Sequence, residues 1–146
     1  RVALSLSNVF CIERHRRSFR DLIPNHIDIL LANEEEIKSL YQQTDLKKSL
    51  DLARAECDTL VVTLGHKGSL VANSDTIYPI SPAPIESVVD TTGAGDLYAA
   101  GFLFGITHGY DIESSGRIGS FSASFVLGHM GGRPESDLKS VLFQAF

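Results

Sequence analysis

The segment Asp90-Thr91-Thr92-Gly93-Ala94-Gly95-Asp96, followed by Leu97-Tyr98-Ala99-Ala100-Gly101-Phe102, holds the residues best suited to chemistry. Small residues let the backbone turn tightly and leave consecutive amide N–H groups uncovered. A helix beginning here also aims its positive dipole end at the same spot. An anion such as phosphate suits that environment. Asp96, in the first turn of this helix, could serve as an ordinary N-cap. Beside an anion-binding loop it has a chemical use as well. A carboxylate there can take a proton from an alcohol while the N–H groups hold the phosphoryl group that the alcohol attacks.

Two other glycine motifs are excluded by inspection. The phosphate loop G-x-x-x-x-G-K-[ST] occurs nowhere, and a dinucleotide G-x-G-x-x-G starting at Gly93 would need glycine where Tyr98 stands. Two lesser segments precede the aspartate motif. Asn33-Glu34-Glu35-Glu36 reads by itself as a sound helix start, because asparagine caps and acidic side chains favour the positive end of the dipole. Thr63-Leu64-Gly65-His66-Lys67-Gly68 reads by itself as a hairpin-like loop. None of the histidines at 15, 26, 66, 108 and 129 has metal-ligand spacing, so no zinc site is expected.

The elements that must position these residues alternate between strand and helix. Apolar and β-branched runs predict strands over residues 2–7, 27–32 and 59–64, with helices over 13–23, 34–41 and 46–55. Residues 59–64 suit a strand buried on both faces, as in a parallel sheet flanked by helices. Two short strands over 69–73 and 76–80, separated by Ser74-Asp75, resemble a hairpin. Helices over 96–108, 112–127 and 136–145 follow. The class is α/β, and 146 residues is about the length of one domain.

Composition narrows the partners. With 13 basic and 18 acidic side chains the net charge is −5, and no clustered basic surface suggests nucleic acid. The basic run Arg14-His15-Arg16-Arg17 with Arg20 is expected on a solvated helix face. Cys11 and Cys57 form neither a C-x-x-C pair nor a disulfide framework, which suits a reduced, cytoplasmic protein. No apolar stretch reaches membrane-span length, so no membrane partner is expected. The sequence opens on Arg1 and enters a strand at once, as a piece of a longer protein would.

Taken in order, the three segments resemble the ribokinase and adenosine kinase family, also known as PfkB-type carbohydrate kinases. Asp90 to Asp96 with Ala99-Ala100-Gly101-Phe102 is similar to that family's carboxyl-terminal signature, Asn33 and Glu36 to its N-x-x-E motif, and Thr63, Gly65 and Gly68 to its T-x-G-x-x-G turn. The resemblance implies a three-layer fold with a mostly parallel central sheet flanked by helices, here a partial domain covering the carboxyl-terminal, ATP-binding and catalytic part. It implies Asp96 as general base and Gly93, Ala94 and Gly95 as the anion hole. Asn33 and Glu36 would organise Mg²⁺ and the phosphates, Glu36 indirectly. Thr63, Gly65 and Gly68 would approach the nucleotide, and Ser120 would stand on the helix beside the adenine. A monovalent cation such as K⁺ would bind near Asp90, Thr92 and Gly131.

The implied reaction transfers the γ-phosphate of ATP to a hydroxyl of a sugar or nucleoside. A vitamin kinase of the same fold and a non-catalytic nucleotide-binding regulatory domain are the alternatives. The part of the family that grips the acceptor has no counterpart here, so this chain alone is expected to be inactive. An unpaired sheet edge at residues 2–7 would favour association, including a homodimer.

Overall fold

The computed structural model describes residues 1–134 and 137–145. Its contacts gather into two compact units, residues 1–65 with 70–79, and residues 66–69 with the chain from Ile80 onward. Among the described residues no helix is long and apolar enough to cross a membrane.

The first unit carries the sheet, all but Ser69 and Ile80, which group with the second. Its elements are β1 (Ala3–Ser5), α1 (Val9–His26), β2 (Ile29–Asn33), α2 (Glu34–Tyr41), α3 (Leu46–Arg54), β3 (Thr59–Thr63), β4 (Ser69–Ala72) and β5 (Ile77–Ile80), in the sheet order β1-β2-β3-β4-β5. The first three strands are parallel, with Leu4 level with Leu30 and Leu30 level with Leu60. Residues 73–76 are too few for a parallel crossover, so β4 and β5 form a hairpin. Asn73 closes it: its side-chain oxygen accepts from the amides of Asp75 at 3.0 Å and Thr76 at 2.8 Å. The sheet is therefore mixed, with a parallel half that matches expectation and a hairpin at its end.

Burial on both faces explains the apolar runs of residues 29–32 in β2 and 60–62 in β3. Leu30, Ala32, Leu60 and Val62 join one core with Leu6, Ile12, Ile23, Ile37, Leu40, Tyr41, Leu50 and Ala53. Ile29, Leu31 and Val61 point to the opposite face and are buried too. Each fully buried Leu or Ile contributes about 1.5–3 kcal/mol relative to exposure. A strand with a solvated face would not tolerate such a run.

The first helix departs most from its predicted limits, starting four residues before residue 13 and ending three after residue 23. Asn8 supplies the missing start signal, its side-chain oxygen accepting from the Cys11 amide at 2.8 Å. Pro24 lies in the last turn, and a non-helical backbone at His15 (φ −119°, ψ 20°) marks a kink. The basic run on this helix is only partly solvated. Arg20 bonds Glu56 at 2.8 Å and lies 4.4 Å from the centre of the Tyr41 ring, while Tyr41 donates to the same Glu56 oxygen at 2.8 Å. Burial first, and then the Glu56 carboxylate, push the Tyr41 phenol well above its usual range. Cys57, raised to about 11 chiefly by burial, is a packed thiol with little thiolate character.

The second unit is built on α4 (Ala94–Thr107), α5 (Ile112–Leu127) and α6 (Leu138–Ala145). Position 136, where the last helix was expected to begin, lies outside the described residues. The first two helices are joined by residues 108–111 and pack antiparallel through small side chains. A Cβ on Gly101 would lie 2.2 Å from Ser122 Oγ and 2.8 Å from the Ile118 carbonyl oxygen. One on Gly105 would lie 2.6 Å from Ser115 Oγ. Gly101→Ala should therefore destabilise the protein by about 1–3 kcal/mol, as overpacking does, although alanine is the better helix former. Thermal unfolding checks this, and a higher melting temperature in G101A would contradict the close packing.

Candidate active site

Helix α4 starts in an unusual way. Gly93 is its N-cap, with φ at +79°, and no side chain caps the helix. Asp96 is the third helical residue, exposed in the first turn, so the plain N-cap reading does not apply to it. The first intrahelical bond runs from Leu97 N–H to Gly93 O at 2.9 Å, and the Ala94 N–H donates to Thr91 O at 3.3 Å. Of the orphan donors expected at a helix start, those of Gly93, Gly95 and Asp96 are left without a partner among the described residues. Ala94, expected to share in an anion hole, spends its amide on the turn instead.

Two glycines here are small for different reasons. A Cβ on Gly93 would come within 2.7 Å of Gly132 Cα and 2.8 Å of Gly132 O, and the positive φ already disfavours any other residue. Gly95 has nothing within 4 Å of where its Cβ would stand. Alanine would stabilise that helical position by about 1 kcal/mol, so no packing within this chain calls for glycine. The open face above Gly95, beside unpartnered N–H groups, suits a phosphate oxygen approaching the backbone closely.

Asp90 fastens this loop to the one after α5. One carboxylate oxygen accepts from the Thr92 amide at 2.9 Å and the Thr92 hydroxyl at 2.8 Å, while the other accepts from the Gly131 amide at 2.9 Å. Led by the Gly131 bond, these donors hold the Asp90 carboxyl down at about 2. The three residues expected at a monovalent-cation site, Asp90, Thr92 and Gly131, thus meet in one small cluster.

Ser120 is almost fully buried, and its hydroxyl is spent within the protein. It donates to Ser81 O at 3.0 Å and accepts from the Ala83 amide at 2.9 Å. That arrangement makes it a tie to residues 81–83 and leaves it no spare donor for a nucleotide. Gly68, with φ at +89°, abuts the same segment: a Cβ there would lie 2.1 Å from Ile80 O and 3.0 Å from Pro82 N.

In the first unit, Asn33 and Glu36 form a reciprocal capping box. Asn33 Oδ1 accepts from the Glu36 amide at 2.9 Å, and Glu36 Oε2 accepts from the Asn33 amide at 2.8 Å. Asn33 is level with Thr63 in the adjacent parallel strand, so both stand at the carboxyl ends of β2 and β3, where open α/β sheets bind ligands. Gly65 follows at once, with φ at +60° and open space about it. With one oxygen committed to its cap, the buried Glu36 suits a metal held through water better than direct ligation. Among the described residues no three His, Cys, Asp or Glu side chains converge as a direct metal cage.

The pattern that defines the pfkB family carbohydrate kinases matches residues 4–138. The chain belongs to this family. It is 38% identical over 105 residues to a nucleoside kinase of Methanocaldococcus jannaschii, covering 72% of this chain and 34% of that protein. The solved adenosine kinase from Sinorhizobium meliloti superposes with a TM-score of 0.94 at 40% identity, over 99% of this chain and 44% of that one. The Arabidopsis thaliana ribokinase, solved with ribose and ATP, gives 0.74 at 31% identity, over 84% of this chain and 42% of that one. This pfkB chain thus spans less than half the length of these relatives.

In this pfkB chain Gly132 also shapes the start of α4, by its contact with Gly93. Only the contact between Gly132 and Gly93 gives the second glycine of the Gly131-Gly132 pair its meaning. The Asp90 clamp has a pH signature. Its carboxyl binds protons less readily folded than unfolded, so its stabilisation is complete above about pH 4 and disappears as pH falls through about 2. Carbon-detected NMR should place the Asp90 midpoint near 2, and one near the ordinary aspartate value would mean that the Gly131 bond does not form in solution.

Proposed function

We propose that this chain supplies the phosphate-binding and catalytic part of an ATP-dependent kinase that phosphorylates a hydroxyl of a sugar or nucleoside. The observation that carries this reading is an exposed carboxylate, Asp96, in the first turn of a helix whose N–H groups no side chain caps. Family membership supplies the reaction class. The relatives named as nucleoside kinase, adenosine kinase and ribokinase supply the acceptor class.

In this reading Asp96 takes the proton of the acceptor hydroxyl as that oxygen bonds the γ-phosphorus. The bond from that phosphorus to the β–γ bridging oxygen breaks, and ADP leaves. The amides of Gly93, Gly95 and Asp96 hold the phosphoryl oxygens as negative charge spreads over them. Thr63, Gly65 and Gly68 border the nucleotide, with open space about Gly65. Asn33 and Glu36 would hold Mg²⁺ through water, and the metal would screen the phosphate charge. Asp90, Thr92 and Gly131 would hold K⁺ beside the loop. Ser120 acts through residues 81–83.

The test uses the complete polypeptide that carries this chain, with Mg-ATP, with and without K⁺, against ribose, fructose, adenosine and pyridoxal. Asp96→Asn should leave ATP binding nearly intact while kcat falls roughly 10²- to 10⁴-fold, the usual worth of a general base. Turnover unchanged in D96N would remove Asp96 from the chemistry. ATP binding without transfer to any alcohol would favour a regulatory nucleotide-binding domain, and phosphorylation of pyridoxal alone would favour the vitamin kinase.

A further inference from the structure

Tyr98 stands two residues beyond Asp96 on the same helix and is almost wholly buried. Its hydroxyl shares a hydrogen bond of 2.6 Å with that of Ser69, itself 1% exposed. Burial pushes the phenol up to about 12, so it stays protonated and able to donate. The ring is held on its other side by Gly119 of α5, where a Cβ would come within 2.9 Å of the Tyr98 ring and carbonyl oxygen. Phenylalanine would fill the same space, so packing alone does not call for the hydroxyl.

The partner's position gives that hydroxyl its meaning. Ser69 directly follows Gly68, the last residue of the turn proposed to border the nucleotide. Gly68 is pressed against Ile80 and Pro82, and Ser120 fastens residues 81–83 to α5. The end of the turn is therefore held twice within one compact unit, to α5 through Ser120 and to α4 through Tyr98. Only the second tie reaches the helix that carries Asp96.

We infer that the Tyr98–Ser69 hydrogen bond is a positioning brace, which fixes the nucleotide-bordering turn at Gly68 relative to the first turn of α4 and so aligns the bound phosphates with Asp96. Tyr98 and Ser69 touch no substrate in this scheme and act through the backbone on either side of them. The inference rests on the kinase reading above. A displacement of about 1 Å in a reacting group can cost as much as 10²-fold in rate, so a short buried tie at this place has leverage.

The variants are Tyr98→Phe, Ser69→Ala and the double Y98F/S69A in the complete protein. Melting temperature, ATP affinity by calorimetry, and kcat and KM for the acceptor are measured for each. Either single change strands a buried hydroxyl and lowers the melting temperature, whereas removing both partners restores most of it. A brace predicts that the double variant, though stable, binds ATP several-fold more weakly and turns over about 10-fold more slowly, with KM for the acceptor little changed. Wild-type ATP affinity and kcat in the stable double variant would overturn the inference and leave the pair a purely structural bond. Should the unaltered protein phosphorylate no alcohol, the kinase reading fails separately, and ATP affinity alone decides the brace. If the double variant does not fold, the nearly isosteric Y98F decides it by the same measurements, weakened ATP binding supporting the brace and wild-type binding overturning it.

Discussion

A helix start must find partners for its first N–H groups, and the second unit is organised around one that does not find them in side chains. Helices α1, α2, α3 and α5 are each capped by an Asn or Asp side chain, from Asn8, Asn33, Asp45 and Asp111. Helix α4 has Gly93 instead and no side-chain cap. A side-chain cap is typically worth about 1 kcal/mol, so its absence costs stability unless another group satisfies the donors. An anion satisfies them and interacts favourably with the dipole as well.

Keeping such a start in place without a cap requires support from elsewhere in the unit. Gly93 and Gly132 meet backbone to backbone, and Asp90 bonds both Thr92 and Gly131, so two distant loops hold one another. Behind them, Val89 N–H donates to Leu127 O at 2.7 Å, joining the approach to α4 to the end of α5. The small-residue contact between α4 and α5 continues this support along the helix pair. Gly101, Gly105, Ser115 and Ser122 let the two backbones approach closely, and among the described residues the buried Ser115 hydroxyl has no hydrogen-bond partner.

The first unit meets the same requirement in the ordinary way. Asn33 and Glu36 satisfy one another across the start of α2, which makes the segment a sound helix cap whether or not it serves a nucleotide. Its functional reading rests on its place at the carboxyl end of β2, level with Thr63. The local bonds explain the residue types, and topology explains why those residues stand where a ligand would be met.

The alternation of strands and helices, the two-sided burial of β2 and β3, and the limits of α2 and α5 were legible in the sequence, because local periodicity and capping chemistry fix them. So was a helix that starts close to Asp96 after a run of small residues. The early start of α1 was missed because Asn8 is a lone cap with no acidic residue in the turn behind it. Contacts between residues far apart in the chain were beyond the sequence: Asp90 with Gly131, Gly93 with Gly132, Ser120 with residues 81–83, and Ser69 with Tyr98. They turned Ser120 into a structural tie and gave Tyr98 its partner. A sequence specifies what its neighbouring residues can do to one another, but which distant groups meet depends on how helices and loops pack, and packing is a property of the whole fold.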